Sequence, residues 1–140
     1  MKKFWFLLLL SACAFLFIAC GSKAVNSASS LDEILSAYVG DDNTQIAVTH
    51  CFSGQPTQAT LTGDAIASLK TWLSGLQLEA RQFEAGNTPS DAEGGEAYSF
   101  EMAGGKYTGF HYIKSGPCYL YIEENWYEVI NASDPPIAID

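Results

Sequence analysis

The run Tyr98–Val129 reads YSFEMAGGKYTGFHYIKSGPCYLYIEENWYEV and decides the fold. It contains four short stretches rich in aromatic and β-branched residues, separated by Gly104-Gly105, Ser115-Gly116 and Glu124-Asn125, where the chain can reverse. Consecutive short strands joined by tight turns pair with their neighbours in the chain. The run therefore predicts a four-stranded antiparallel meander.

If the three dipeptides are the turns, one pairing register satisfies every hairpin. Phe100 then lies opposite Gly109, and His111 lies opposite Leu120, as a hydrogen-bonded core histidine. Cross-strand partners share a face of the sheet, so this register predicts one apolar inner face. The predicted inner residues are Tyr98, Phe100, Met102, Tyr107, Ile113, Cys118, Leu120, Ile122, Tyr127 and Val129.

The same register places a second set of aromatic side chains on the outer face, among charged residues. This predicted set is Phe110, Tyr112, Tyr119, Tyr121 and Trp126. An apolar patch bounded by charge is typical of a binding surface, and Tyr and Trp suit contacts with peptides or sugars. The alternative is that Leu31–Tyr38, the first hairpin or the C-terminal tail covers this face.

Upstream segments complete the predicted fold. Gln45–Cys51 and Thr57–Thr62 indicate a β-hairpin, and the apolar stripe within Asp64–Glu79 indicates a helix that packs on the sheet. Leu31–Tyr38 is either a short helix or a lead-in coil, and Ala85–Glu96 is a long exposed loop. We predict an α+β fold in which an antiparallel sheet, made of the N-terminal hairpin and the C-terminal four-stranded meander, packs against one main α-helix.

The N-terminus has the layout of a secretory signal peptide. Lys2-Lys3 precede an apolar run from Phe4 to Ala19, which ends at Cys20. The run is shorter than the roughly 20 residues that a spanning helix needs, although a retained membrane helix is the alternative.

Phe17-Ile18-Ala19-Cys20 resembles the lipobox of bacterial lipoproteins, with Phe17 where that family usually has Leu. The resemblance implies cleavage before Cys20 and lipidation of its thiol, which would anchor the chain to the extracytoplasmic side of the cell membrane. Cys13 is the alternative site. We predict a signal peptide at residues 1–19, a flexible tether at residues 20–30 and a single α+β domain at residues 31–140.

The charge of the chain excludes one class of function. The full sequence has a net charge of −9, and removal of residues 1–19 takes away Lys2 and Lys3, leaving five basic and 16 acidic side chains and a net charge of −11. Such a surface repels phosphate backbones, so nucleic acid is not an expected partner.

Cys51 and Cys118 are the two cysteines of the mature domain, with 66 residues between them. Outside the cytoplasm such a pair is most simply a disulfide. Closing a loop of this length would stabilise the folded domain by about 4 kcal/mol. Free thiols are one alternative. A metal site with His50 and His111 is another, but the spacing lacks the short paired motifs of zinc sites, so we predict no metal.

No catalytic motif or cofactor is predicted. The chain has no Gly-x-Ser-x-Gly elbow, phosphate-binding glycine loop or His-Glu-x-x-His helix. Asp41-Asp42-Asn43, and the acidic group Asp91, Glu93 and Glu96, do not have the spacing of a calcium loop.

Tyr119–Val129, followed by Asn131–Pro136, resembles the end of small lipoproteins of uncharacterised function from Gram-positive, gut-type bacteria. The shared motifs are structural, so the resemblance implies an address and a fold and carries over no active residues. We expect a membrane-anchored, non-catalytic module that binds a protein, peptide or glycan. The alternatives are an inhibitor or immunity-type protein against a secreted hydrolase, and an enzyme of unknown class.

Overall fold

The computed structural model describes residues 28–90 and 94–139, with side chains from Leu31 onward. The predicted signal peptide, Cys20 and most of the predicted tether lie outside these residues. Within them, no helix combines the length and the apolar character needed to cross a membrane. The elements are α1 Ala28–Gly40, β1 Gln45–Phe52, β2 Gln55–Leu61, α2 Asp64–Ser74, β3 Leu78–Arg81, β4 Glu96–Ala103, β5 Gly109–Lys114, β6 Cys118–Ile122 and β7 Asn125–Val129.

The seven strands in the described residues form one antiparallel sheet in the order β2-β1-β4-β5-β6-β7-β3. The predicted hairpin β1–β2 and the four meander strands are present, so the antiparallel α+β character of the prediction is confirmed. Pro56 lies in β2, an edge strand, which is where proline is tolerated in a sheet because the strand has a neighbour on one side only. Helix α2 connects β2 at one edge with β3 at the other.

Both helices contribute to one hydrophobic core with the inner face of the sheet. Leu35 and Tyr38 of α1 are buried one helical turn apart, and Ile66, Leu69 and Leu73 of α2 follow the same spacing. The prediction of a single main helix was therefore incomplete. Of the two alternatives for Leu31–Tyr38, a short helix or a coil, the structure has the helix, which is α1. The sheet residues of the core are Ile46, Val48, Leu61, Tyr98, Phe100, Phe110, Tyr112, Leu120, Ile122, Tyr127 and Val129.

Helix α2 ends earlier than the sequence pattern predicts. It stops at Ser74, and Gly75 caps its end with a backbone N–H that donates to the carbonyl oxygen of Trp72. Leu78–Arg81 then forms β3, which pairs with β7. The ladder with β7 satisfies backbone groups that a helix continued to Glu79 would have used, so tertiary pairing overrides the local helical pattern.

The predicted meander register was wrong by one residue at two hairpins. Phe100 pairs with Phe110 instead of Gly109, and Tyr112 pairs with Leu120 where His111 was expected. The β4–β5 connection is longer than a two-residue turn because β4 ends at Ala103 and β5 begins at Gly109. A shift of one residue exchanges the two faces of a strand.

Strand β5 is therefore turned over relative to the prediction. Phe110 and Tyr112, expected on the outer face, are in the core at 1% and 0% exposure. His111, expected in the core, is exposed on the outer face, and Ile113 also lies on that face. The β6–β7 hairpin is displaced by two residues, so Leu120, Ile122 and Tyr127 keep their predicted inner positions.

Candidate functional site

The outer face of the sheet carries a continuous row of side chains across its strands. Pairing places Ser99 opposite His111, His111 opposite Tyr121, and Tyr121 opposite Trp126. The helices pack on the inner face, so neither covers this row. Toward the β2 edge of the sheet the row continues through Thr49 and Gln58. At the β3 edge it ends at Arg81.

Of the five side chains predicted to form a binding face, the structure brings three together on the outer face. Tyr119, Tyr121 and Trp126 are half-buried there, whereas Phe110 and Tyr112 belong to the core. The rings of Tyr121 and Trp126 lie 4.7 Å apart.

Phe83 covers part of this aromatic group, and the sequence reading missed it. Its ring meets Tyr119 edge-on at 5.4 Å and Trp126 at 5.6 Å. Phe83 follows β3, and the predicted helix Asp64–Glu79 overlaps the start of that strand. An isolated aromatic between polar residues was the available signal, but it could not show which face the residue would reach. Among the ring contacts of the described residues, Phe83 meets Tyr119 and Trp126 and does not meet Tyr121.

A groove of about 460 Å³ adjoins Tyr121 at the end of the sheet that carries the β6–β7 turn. Its floor is Gly109, which has φ +145 and leaves no side chain on the sheet surface. A Cβ at this position would lie 1.9 Å from the carbonyl oxygen of Phe100. Glycine is therefore required here, because a side chain would enter the backbone of β4.

The charged residues that line the groove are acidic. Glu101, Glu123 and Glu124 contribute three carboxylates, and no lysine or arginine is among the described lining residues. Glu101 and Glu124 make no hydrogen bond or ion pair with any residue in the described ranges. Lys106 lies beyond Glu123, over the ring of Tyr107.

Tyr38 connects the groove to the core from beneath. Its hydroxyl donates to Glu123 Oε1 at 2.6 Å and lies 3.1 Å from the carbonyl oxygen of Gly109. Burial raises the pKa of Tyr38, and the hydrogen bond to Glu123 raises it further, so the hydroxyl stays protonated and remains a donor. Helix α1 thereby fixes one carboxylate of the groove.

A separate polar cluster lies at the other end of the inner face, around Glu96. Tyr98 Oη donates to Glu96 Oε1 at 2.6 Å, His50 Nε2 lies 2.7 Å from the same oxygen, and Lys114 Nζ lies 2.6 Å from Oε2. Lys114 also contacts Asp134 at 2.6 Å, which fastens the C-terminal tail to the sheet. Burial acts to raise the pKa of Glu96, but the hydrogen bonds from its three partners outweigh it and lower the pKa to about 2.

Two of the carboxylates considered as calcium ligands, Glu96 and Asp41, have protein partners. Glu96 is used by the cluster above, and the carboxylate of Asp41 accepts backbone N–H groups of Lys106 at 2.9 Å and Tyr107 at 3.1 Å. Those hydrogen bonds lower the pKa of Asp41. Asp91 and Glu93 lie outside the described residues. In the described ranges, no three His, Cys, Asp or Glu residues are arranged to hold a metal ion.

The predicted disulfide between Cys51 and Cys118 is not formed in the structure. Cys51 is on β1 and Cys118 on β6, with β4 and β5 between them, a separation of about 14 Å at the usual strand spacing. The pairing registers also place them on opposite faces. A disulfide requires Cα atoms within about 7 Å. The same geometry separates His50 and Cys118 from Cys51 and His111, so the four zinc-type ligands do not converge.

Comparisons of the chain with protein-family models, with curated proteins and with solved structures return no match.

Proposed function

We propose that the protein is a membrane-anchored, extracytoplasmic lipoprotein whose domain is a non-catalytic binding module that uses the outer face of the sheet. The observation that carries the proposal is the groove over Gly109 next to the half-exposed ring of Tyr121, on a face without a helix layer. Surface concavities that combine aromatic rings with a few polar groups are typical of ligand sites.

The anchor in this proposal is Cys20. From a lipid-modified Cys20, the chain would run through the serine-rich tether and enter the domain at α1, which begins at Ala28. Tyr38, beneath the groove, is ten residues further along the same helix, a distance of about 15 Å. In this proposal the chain would enter the domain at the start of α1, about three helical turns from Tyr38, and the groove would stay accessible to a partner at the cell surface.

Affinity capture with the full chain tests the binding role. We expect a protein, peptide or glycan from envelope extract to be retained by the wild type and lost with Tyr121→Ala or Trp126→Ala. Phe52→Ala is the matched control, because Phe52 is an aromatic residue exposed at 55% outside the outer aromatic group. Retention of every partner by both outer-face variants would contradict the proposal.

Mass spectrometry of the mature N-terminus tests the anchor separately. We expect an acylated Cys20 as the first residue and loss of membrane association in Cys20→Ser. A free α-amine at residue 21 or later, without acyl mass, would refute the assignment.

A further inference from the structure

The charge of the outer face is unbalanced around the groove. The described part of the chain has four basic side chains, and three of them are engaged away from it. Arg81 is paired with Glu79 and Glu128, Lys114 with Glu96 and Asp134, and Lys70 donates to the carbonyl oxygen of Asp41. The fourth, Lys106, lies over Tyr107. The carboxylates of Glu101 and Glu124 consequently have no countercharge.

The groove has room for one long side chain. Its volume of about 460 Å³ is at the lower end of the range of small-ligand pockets, about 300–1,000 Å³. Gly109 and the three carboxylate residues are among its lining residues. Because Glu101 and Glu124 line the same groove and have no ion pair, a cation could enter it without displacing an existing one.

The wall of the groove favours the same class of ligand. Tyr121 and His111 line it, with ring centroids 6.1 Å apart. A tyrosine ring attracts a cation within about 6 Å of its centroid, and guanidinium groups stack on such rings. Beyond His111, the polar side chains of Ser99, Thr49 and Gln58 continue the row across the strands, where they can hydrogen-bond to the backbone of an extended chain.

We infer that the outer face binds an extended, basic segment of a partner protein, with one arginine or lysine side chain inserted into the groove over Gly109. The inference rests on the proposed binding role and specifies the chemistry of the partner. Charge complementarity is the argument for this occupant, because a neutral glycan would leave Glu101 and Glu124 uncompensated and an acidic segment would be repelled.

Calorimetric titration of the full chain in neutral detergent tests the inference. The probe is the peptide Gly-Arg-Gly-Arg-Gly-Arg-Gly with an amidated C-terminus. The comparison peptide has citrulline in place of each arginine and therefore carries no side-chain charge. We expect the citrulline peptide, and the double variant Glu101→Gln/Glu124→Gln, to bind about tenfold more weakly, as expected when two exposed ion pairs of roughly 0.7 kcal/mol each are lost. Tyr121→Ala should also weaken binding.

The control separates a local site from the general negative charge of the chain. Asp32→Asn/Asp64→Asn removes two charges from the helix layer, and we expect the affinity of wild type. Equal loss in this control, equal binding of the citrulline peptide, or displacement of the arginine peptide by a neutral oligosaccharide would overturn the inference. Self-association of the chain through Tyr121 would overturn it as well.

Failure of this inference can be distinguished from failure of the binding role. If capture from envelope extract depends on Tyr121 and Trp126 while the arginine peptide does not bind, the partner chemistry is wrong and the binding role stands. If neither experiment depends on these residues, both are refuted.

Discussion

Replacement of Tyr38 by Phe tests how helix α1 is fixed to the sheet. The change removes one hydroxyl, which donates to Glu123 Oε1 at 2.6 Å and lies 3.1 Å from the carbonyl oxygen of Gly109. The ring stays, so its stacking on Tyr107 at 4.4 Å and its edge contact with Phe110 at 6.2 Å are retained. The free energy of unfolding should therefore change through the hydrogen bonds alone.

A hydrogen bond to a charged group is worth about 1.5–3 kcal/mol. Glu123 is exposed, so water can replace the lost donor, and the lower end of this range applies. We expect Tyr38→Phe to lower the free energy of unfolding by about 1.5 kcal/mol, and a domain of this size should lose about 6 °C in Tm. Tyr38→Ala, which also removes the ring, should cost about 3–5 kcal/mol.

Equilibrium urea unfolding, followed by circular dichroism, measures these differences. Tyr127→Phe is the matched control, since Tyr127 is buried at 8% exposure and its hydroxyl has no hydrogen-bond partner in the described part of the chain. That variant should stay within about 0.5 kcal/mol of wild type.

A double-mutant cycle with Glu123→Ala isolates the contact between the two residues. We expect a coupling energy of about 1 kcal/mol. The reasoning would be refuted if Tyr38→Phe were as neutral as Tyr127→Phe, or if the effects of Tyr38→Phe and Glu123→Ala were additive.

Four further predictions follow from single features of the fold. Gly109→Ala should cost about 3 kcal/mol or more in urea unfolding because of its clash with Phe100, whereas Gly116→Ala, at φ +95 with open space, should cost only about 1–2 kcal/mol. Glu124→Gly should raise the free energy of unfolding by about 0.5–1 kcal/mol, since Glu124 has φ 61 in the β6–β7 turn. The pKa of Glu96 is lowered to about 2, so its contribution to stability is present above its ordinary pKa of 4.5 and is lost as pH falls toward 2. In acid titrations, the difference in free energy of unfolding between wild type and Glu96→Gln should therefore shrink between pH 4.5 and pH 2. Peptide mapping without reductant should find Cys51 and Cys118 in peptides that are not linked to each other, and a bridged peptide would contradict the sheet order.

The elements that follow simple periodicity were predictable. The β1–β2 hairpin reverses at Ser53-Gly54, both with positive φ, close to where the sequence placed the turn. Helix α2 buries Ile66, Leu69 and Leu73 along the expected stripe. In these segments the local conformational preference of the sequence agrees with the folded structure, and sequence patterns detect this kind of preference.

The meander register was not predictable from its turn residues. The β6–β7 turn uses Glu123 and Glu124 at positive φ, although Asn125 directly follows and is the residue type favoured there. Strand β3 was missed for a related reason, because Leu78–Arg81 has no alternating pattern and forms an edge strand only through its pairing with β7. In both places tertiary contacts outweigh local preference.

The largest error in the predicted register and the candidate site lie side by side on β5. The register is set in the β4–β5 connection, because the Met102 N–H donates to the carbonyl oxygen of Thr108 and the same one-residue shift continues along the whole β4–β5 pair. This shift moves Phe110 and Tyr112 into the core and brings His111 to the outer face, where it lines the groove beside Tyr121. Functional sites are where local sequence rules are expected to fail. The departure from the simple register is thus a further reason to test the groove before any other surface of the domain.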